Sequence, residues 1–320
     1  MLIVQKFGGS SLADLERLRR AAGICMNARR KGHDTVVVVS AMGDSTDDLL
    51  DIAHRISPSP PPRELDALLC CGEQQSAALM AIMLESMGCP ARSFTGWQAG
   101  IHTGGSHGSG EILEVEPYRI LSALKEGYVA VVSGFQGVDA AGELTTLGRG
   151  GSDTSAVSLA AELGALRCEI YTDVNGIYTA DPRLVEGAKL LPEIDFRDML
   201  RLARMGSQVL HQRSVALAME RGVDLRLLSS FEKGSGSAVK FLEKRPPLAG
   251  ITRNEAQGSL SIVGQGADAE LAGELAELLE EAGFQVQSLR LSEGALSIGM
   301  ERASLLPAMQ LVHGFLFERG

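Results

Sequence analysis

Aromatic residues make up only 4% of the 320 residues, with Trp97 the single tryptophan, yet the chain is 45% hydrophobic and 22% charged. That balance is ordinary for a globular protein and excludes a disordered chain. Five cysteines occur, Cys25, Cys70, Cys71, Cys89 and Cys168, and none forms a C-x-x-C pair or lies near a suitably spaced histidine. They read as reduced thiols, mostly buried as small hydrophobes. No lysine or arginine cluster relieves a formal charge of −10, which excludes a nucleic-acid partner, because neutralising phosphates takes a basic face. No apolar run reaches the roughly 20 residues of a bilayer span, and the first residues enter a strand pattern with no signal peptide before it. The expectation is a cytoplasmic chain without a membrane partner. An anionic ligand would then have to meet local positive charge, which draws attention to single Lys and Arg residues in glycine-rich loops.

The length suits two domains. Residues 2–7 read as a strand, followed by a Gly-Gly turn and a helix in which Leu15, Leu18, Ala22 and Cys25 recur at helical spacing. The run Val36, Val37, Val38, Val39 suits a strand buried on both faces. Further strands are expected at residues 91–94, 129–133, 168–172 and 224–228, with helical patterns between them, the order of an α/β fold. Residues 57–62, with four prolines, and 103–110 read as loops. His102 precedes the second and His107 lies within it, without a third ligand nearby, so they are not read as a metal pair. After Arg245-Pro246-Pro247 the pattern is β-α-β-β-α, most of a ferredoxin-like unit, and residues 248–252 can supply its missing strand. The expected division is therefore 1–244 and 245–320.

Four segments carry chemistry. Lys6-Phe7-Gly8-Gly9-Ser10-Ser11 stands where a strand gives way to a helix, so its backbone can approach an anion closely, with Lys6 adding a full charge. It matches neither the Walker nor the dinucleotide fingerprint, and a tight turn with Ser11 as helix cap explains it equally well. A second glycine loop, residues 145–154, also enters a helix N-terminus. Arg149 within it can grip a carboxylate or phosphate through two parallel hydrogen bonds, while Ser152 or Asp153 can alternatively just cap the helix. Glu73 interrupts a long apolar helical stretch at residues 65–87, where a carboxylate either pairs locally or receives a substrate ammonium group. Finally, residues 171–183 leave a buried strand through an Asn-Gly turn, at the end of a parallel strand where open α/β sheets bind ligands.

These residues resemble aspartokinase, within the amino-acid-kinase fold. Eight segments carry the resemblance in family order: KFGGSS at 6–11, VVVSAMGDSTDDL at 37–49, GEQQSAALMAI at 72–82, SFTGWQAGI at 93–101, SGFQG at 133–137, TTLGRGGSDTSA at 145–156, YTDVNGIYTADPR at 171–183 and VLHQRSV at 209–215. The resemblance implies a three-layer α/β/α sandwich over 1–244 and a small α+β, ferredoxin-like (ACT-like) domain over 245–320. It implies transfer of the ATP γ-phosphoryl group to the side-chain carboxylate of L-aspartate, the first step of lysine, threonine and methionine biosynthesis, with Mg2+ held mainly by ATP oxygens and water. An aspartate carboxylate, at a reference pKa of about 3.9, is already ionised, so no general base is needed.

By match to the family, Lys6 would stabilise charge on the transferring group and Asp153 would orient it. Gly8, Gly9 and Ser10 would cradle the phosphates. Arg149 would hold the substrate α-carboxylate and Glu73 its ammonium group, with Ser40, Thr46, Gly150, Gly151 and Ser152 completing that subsite. Thr172, Asp173, Tyr178, Asp181, Arg183 and Gln208 would line the nucleotide site. Two positions depart from the family: Gln208 stands where many members have lysine, and His211-Gln212-Arg213-Ser214 replaces His-Pro-Arg-Ala. A further departure is the single ACT-like unit where members usually carry two. Its open sheet edge favours pairing with a second copy as a homodimer. The competing reading is a catalytically silent amino-acid sensor, or a related kinase acting on another carboxylate. A sensor has no need to keep Lys6, Glu73, Arg149 and Asp153 together.

Overall fold

The computed structural model describes residues 1–318, so the last two residues of the expected C-terminal segment lie outside it. Contacts divide the chain into two compact units, Met1–Asn175 with Ala216–Gly234, and Gly176–Val215 with Ser235–Gly320. The segment Gly176–Val215, placed in the first domain on sequence grounds, thus groups with the C-terminal part.

The chain opens with Leu2–Phe7 (β1), a short 3-10 turn at Gly9–Leu12, and Leu15–Arg30 (α1), whose first turn is capped by Asp14 accepting from the Arg17 N–H at 2.8 Å. Asp34–Val39 (β2), Ser45–Ile56 (α2), Pro62–Ser86 (α3) and Ala91–Phe94 (β3) follow. Next come Ile101–Gly104 (β4), Glu111–Val115 (β5), Tyr118–Lys125 (α4), Val129–Ser133 (β6), Gln136–Val138 (β7), Leu144–Thr146 (β8), Gly151–Glu162 (α5) and Cys168–Thr172 (β9). Beyond them lie Ile177–Tyr178 (β10), Leu190–Leu191 (β11), Glu193–Asp195 (β12), Phe196–Met205 (α6), Gln212–Arg221 (α7), Leu225–Ser229 (β13) and Ser237–Lys240 (β14). The chain closes with Gly250–Asn254 (β15), Ser259–Val263 (β16), Ala269–Glu281 (α8), Ser288–Ser292 (β17), Ala295–Gly299 (β18) and Arg302–His313 (α9).

In the first unit the strand order is β13-β9-β1-β2-β6-β3, every neighbouring pair parallel. The four valines of β2 are all buried because helices cover both faces. Val37 and Val39 join Phe7, Val129 and Val131 in one cluster with Leu18, Ala22 and Cys25 of α1 and with Ala77, Met80 and Leu84 of α3. By the two-residue period, Val36 and Val38 take the opposite face, where α5 packs on β1, β2 and β9. Lys6 shares that second face, and this fixes its meeting with α5.

Two features differ from the sequence expectation. Residues 105–110 form the expected loop, but Thr103 and Gly104 belong to β4, and the loop joins β4 to β5 in a four-stranded sheet, order β5-β4-β7-β8, that was not expected. Its strands are short and half polar, so they give no period-2 signal. Second, α3 is long and apolar enough by length and composition to cross a membrane, although 50% of the qualifying window is buried inside the protein. Core helices pass the same test. A search for unbroken apolar residues misses it because Asp66 and Glu73 interrupt the run, and both are buried.

In the second unit the sheet β15-β16-β18-β17 is antiparallel throughout, with β15 supplying the strand that the β-α-β-β-α pattern lacked. Its core joins Leu260, Ile262, Leu275, Leu296, Ile298, Leu305 and Met309 with Ala180 and Val185. Those last two come from the β10–β11 hairpin.

Candidate active site

The parallel strands of the first unit converge their C-terminal ends on a ring of loops. β1 ends at Phe7, and the Ser40 N–H donates to the Phe7 carbonyl at 3.1 Å; the Gly134 N–H likewise donates to Val39 at 3.0 Å, and the Gly8 N–H to Tyr171 at 3.2 Å. The segments after β1, β2, β6 and β9 are therefore laced together by backbone bonds. Gly9 is forced by this closeness: a Cβ there would stand 2.7 Å from the Ala41 carbonyl oxygen. The Gly43 N–H returns a bond to Gly9 O at 3.0 Å.

Lys6 Nζ lies 2.6 Å from Asp153 Oδ1, with each side chain mostly shielded from solvent. Asp153 sits in the first turn of α5, and Gly150 caps that helix at φ 72°, a left-handed conformation that glycine adopts without penalty. The helix N-terminus and its free N–H groups thus face the same ring of loops as an ammonium group that is already oriented. Phe135, φ 68°, enters this region with its N–H donating to Ser155 Oγ at 3.1 Å.

Glu73 is 3% exposed; its Oε1 accepts from the Ala41 N–H at 3.2 Å, and Oε2 has no hydrogen-bond partner among the described residues. Burial pushes its carboxyl up to about 7, with the Ala41 N–H opposing the shift. A half-satisfied buried carboxylate beside the Ala41 segment fits an incoming cation. Ser133, ending β6, leaves a buried hydroxyl equally unpartnered. Its SGFQG segment carries the family resemblance without revealing this role; the signal in the sequence is a polar residue closing a strand otherwise of valine and alanine.

The remaining candidates divide. Ser40 and Thr46 are half-buried on the β2–α2 segment, Ser152 is buried beside Gly151 in α5, and Arg149 is exposed with no ion-pair partner among the described residues. Thr172 is half-buried and donates to Asp173 Oδ1 at 3.0 Å, while its carbonyl accepts from the Ser230 N–H at 2.9 Å. Ser230, which sequence reasoning missed, also bonds Ser11 Oγ at 2.8 Å and so ties β13 to the glycine turn. Ser10 is exposed while Ser11 is buried. Tyr178, Asp181, Arg183 and Gln208 belong to the second compact unit. There the Arg183 fork grips Asp181 at 3.0 and 2.8 Å and holds its carboxyl below the usual range. Gln208 is exposed. His102 pairs with Glu116 at 3.2 Å and His107 with buried Asp66 at 2.9 Å, so each has a carboxylate rather than the other as neighbour. Among the described residues no group of three His, Cys, Asp or Glu side chains is placed to hold a metal.

The C-terminal loops of the parallel sheet surround a lysine at a helix N-terminus, and residues 1–229 match the family model described as Amino acid kinase family. The chain belongs to the amino acid kinase family. Its sequence relatives there include aspartokinases. That of Mycobacterium bovis is 50% identical over 82% of this chain and 64% of its own length, and that of Thermus thermophilus is 45% identical over 90% and 72%. The chain thus spans under two thirds of the mycobacterial protein. Among solved structures, E. coli aspartokinase III in complex with aspartate and ADP (R-state) superposes with a TM-score of 0.72 at 26% identity, covering 94% of this chain and 79% of that one. The resemblance read from the eight segments is borne out.

Proposed function

We propose that the chain transfers the γ-phosphoryl group of ATP to the side-chain carboxylate of L-aspartate, giving 4-phospho-L-aspartate. The observation that carries this reading is the Lys6–Asp153 pair at 2.6 Å on the rim of loops that also holds half-satisfied Glu73. The aspartate and ADP bound by the E. coli neighbour support the choice of substrates.

The nucleophile arrives ionised, so the protein's part is positioning and charge stabilisation. Asp153 keeps the Lys6 ammonium pointed at the loops, where it meets negative charge growing on the transferring group. Gly8, Gly9 and Ser10 line the phosphates with backbone. Glu73 Oε2 receives the substrate ammonium group and Arg149 its α-carboxylate, which fixes the side-chain carboxylate for in-line attack. Ser40, Thr46, Gly150, Gly151 and Ser152 complete the aspartate subsite, and Thr172, Asp173, Tyr178, Asp181, Arg183 and Gln208 the nucleotide subsite. Mg2+ bound chiefly by phosphate oxygens and water fits a donor set that, among the described residues, offers isolated carboxylates and no cluster. When bound it neutralises phosphate charge.

Residues 245–320 form a regulatory or dimerising ACT-like unit. All five residues of its edge strand β17 are exposed, Leu289 and Leu291 among them, which supports pairing with a second copy of the chain. Purified protein with ATP, Mg2+ and aspartate should form an acyl phosphate that hydroxylamine traps, and glutamate should react far less. A folded, ATP-binding protein that yields no hydroxamate would be a sensor instead.

A further inference from the structure

The β10–β11 hairpin carries Tyr178, and the segment between its strands carries Asp181 and Arg183. Its attachments within the second unit run to the C-terminal helix and to β15. The Ile251 N–H of β15 donates to the Thr179 carbonyl at 2.7 Å, Gln310 Nε2 of α9 donates to Leu184 O at 2.9 Å, and Lys189 Nζ donates to the Phe317 carbonyl. Ala180 and Val185 are buried in the same core as Met309 and Val312. At the centre of these contacts His313, wholly buried, places Nε2 2.8 Å from Thr179 Oγ1, and the same hydroxyl accepts the Lys189 N–H at 2.9 Å.

We infer that His313 is a positioning residue that holds the nucleotide-contacting hairpin in register through Thr179, so that the state of α9 sets nucleotide affinity. The inference rests on the proposed role of Tyr178, Asp181 and Arg183 at the nucleotide. The Nε2–Thr179 bond can run in either direction, so protonation does not sever it directly. What protonation does is bury a full charge in a site with no exposed surface. The charged groups that face the ring are Glu318, 3.4 Å from Nδ1, and Lys189 of the hairpin; Phe317 stacks on it at 5.0 Å between centroids. Burial holds the imidazole below its ordinary value, with Glu318 opposing and Lys189 assisting. The neutral ring is therefore the form that fits. Stability from this contact is complete above the unfolded value of about 6.5 and is lost as pH falls through it toward the folded value.

The test measures MgADP affinity by calorimetry from pH 5.5 to 7.5, together with the KM for aspartate, in wild type, His313→Gln, His313→Leu and Asp181→Asn. The terminal phosphate of ADP titrates in the same range, so variants are compared with wild type at matched pH. Gln reaches Thr179 without a titratable proton: His313→Gln should keep wild-type affinity at pH 7.5 and lose less of it in acid. Leu makes no bond, and His313→Leu should bind MgADP about tenfold more weakly at every pH with the KM for aspartate unchanged. Superimposable pH profiles for wild type and His313→Gln overturn the inference, even should His313→Leu fail to fold. So does unaltered affinity in His313→Leu when Asp181→Asn binds weakly. If Asp181→Asn and His313→Leu both bind normally, the hairpin's assignment to the nucleotide fails and takes the inference with it.

Discussion

Asp195 and Asp198 in the second compact unit and Glu73 in the first are buried carboxylates treated in opposite ways. In the second, Asp195 is wholly buried and fully engaged: the Arg197 fork meets it at 2.7 and 2.9 Å and the Leu242 N–H at 3.0 Å. Burial alone would raise its carboxyl, but these donors outweigh it and hold the group far below the usual range. Asp198 is matched in the same way by Arg245 and Arg201. In the first unit, Glu73 and Ser133 keep a buried oxygen without a partner among the described residues, and burial raises the Glu73 carboxyl to about 7. Asp195 and Asp198 hold their unit together; Glu73 is left with an oxygen that a ligand can engage. Unsatisfied buried groups cost stability, so Glu73 beside the segment after β2 and Ser133 at the end of β6 point to function.

Substitutions can break that contrast. The largest expected effect is in Lys6→Ala, which should lower kcat by about a hundredfold, on the order of 3 kcal/mol. A near-wild-type rate in hydroxamate assays would remove Lys6 from charge stabilisation. Asp195→Asn should do the converse, costing about 2 kcal/mol in urea unfolding at pH 7 and leaving the rate intact. Because the folded carboxyl lies below its unfolded value, that stabilisation is present above about pH 3.9 and vanishes as pH falls further, so the variant and wild type should converge in acid.

Glu73→Gln carries the smaller and more informative change. Losing one charge-assisted bond to the substrate ammonium group should raise the KM for aspartate by about tenfold, roughly 1.5 kcal/mol. The same variant should melt higher than wild type at pH 8 in the absence of aspartate. Glu73 has a raised folded value, so the wild type loses stability as pH climbs from the unfolded value of about 4.3 through 7, and the neutral amide does not. At pH 4 the two should coincide. A wild type as stable as Glu73→Gln at pH 8 would mean that the orphaned oxygen costs nothing, and the contrast between the units would dissolve.

The strands of the parallel sheet were legible because unbroken runs such as Val36 to Val39 demand cover on both faces, and the C-terminal β-α-β-β-α pattern was legible because each element keeps a single period. The pairing of Lys6 with Asp153 followed from motif resemblance, and the alternation along β1 gives it a physical basis. The small sheet β5-β4-β7-β8 was not legible, since β5 exposes most of its side chains and its partners are three or four residues long. Nor was the role of Asp66, whose carboxylate gathers His107, the Gly108 N–H and Thr146 Oγ1 at 2.9, 3.0 and 2.6 Å from segments 41 and 80 residues away. Contacts over such separations leave no local pattern. Gly176–Val215 grouped with the C-terminal strands for the same reason: the hydrophobic partners of Ala180 and Val185 lie more than 60 residues onward.

That grouping bears on how the molecule can be cut. The compact units exchange the chain at 175/176, 215/216 and 234/235, so no single cleavage separates them. A version ending at residue 244 would keep the β10–β11 hairpin but remove β15, β16, β18 and α9, stripping Ala180 and Val185 of the side chains that bury them. Limited proteolysis should therefore yield no stable fragment ending near Arg245, and the evolutionary loss or gain of the C-terminal strands would have to be accompanied by changes in residues 177–191.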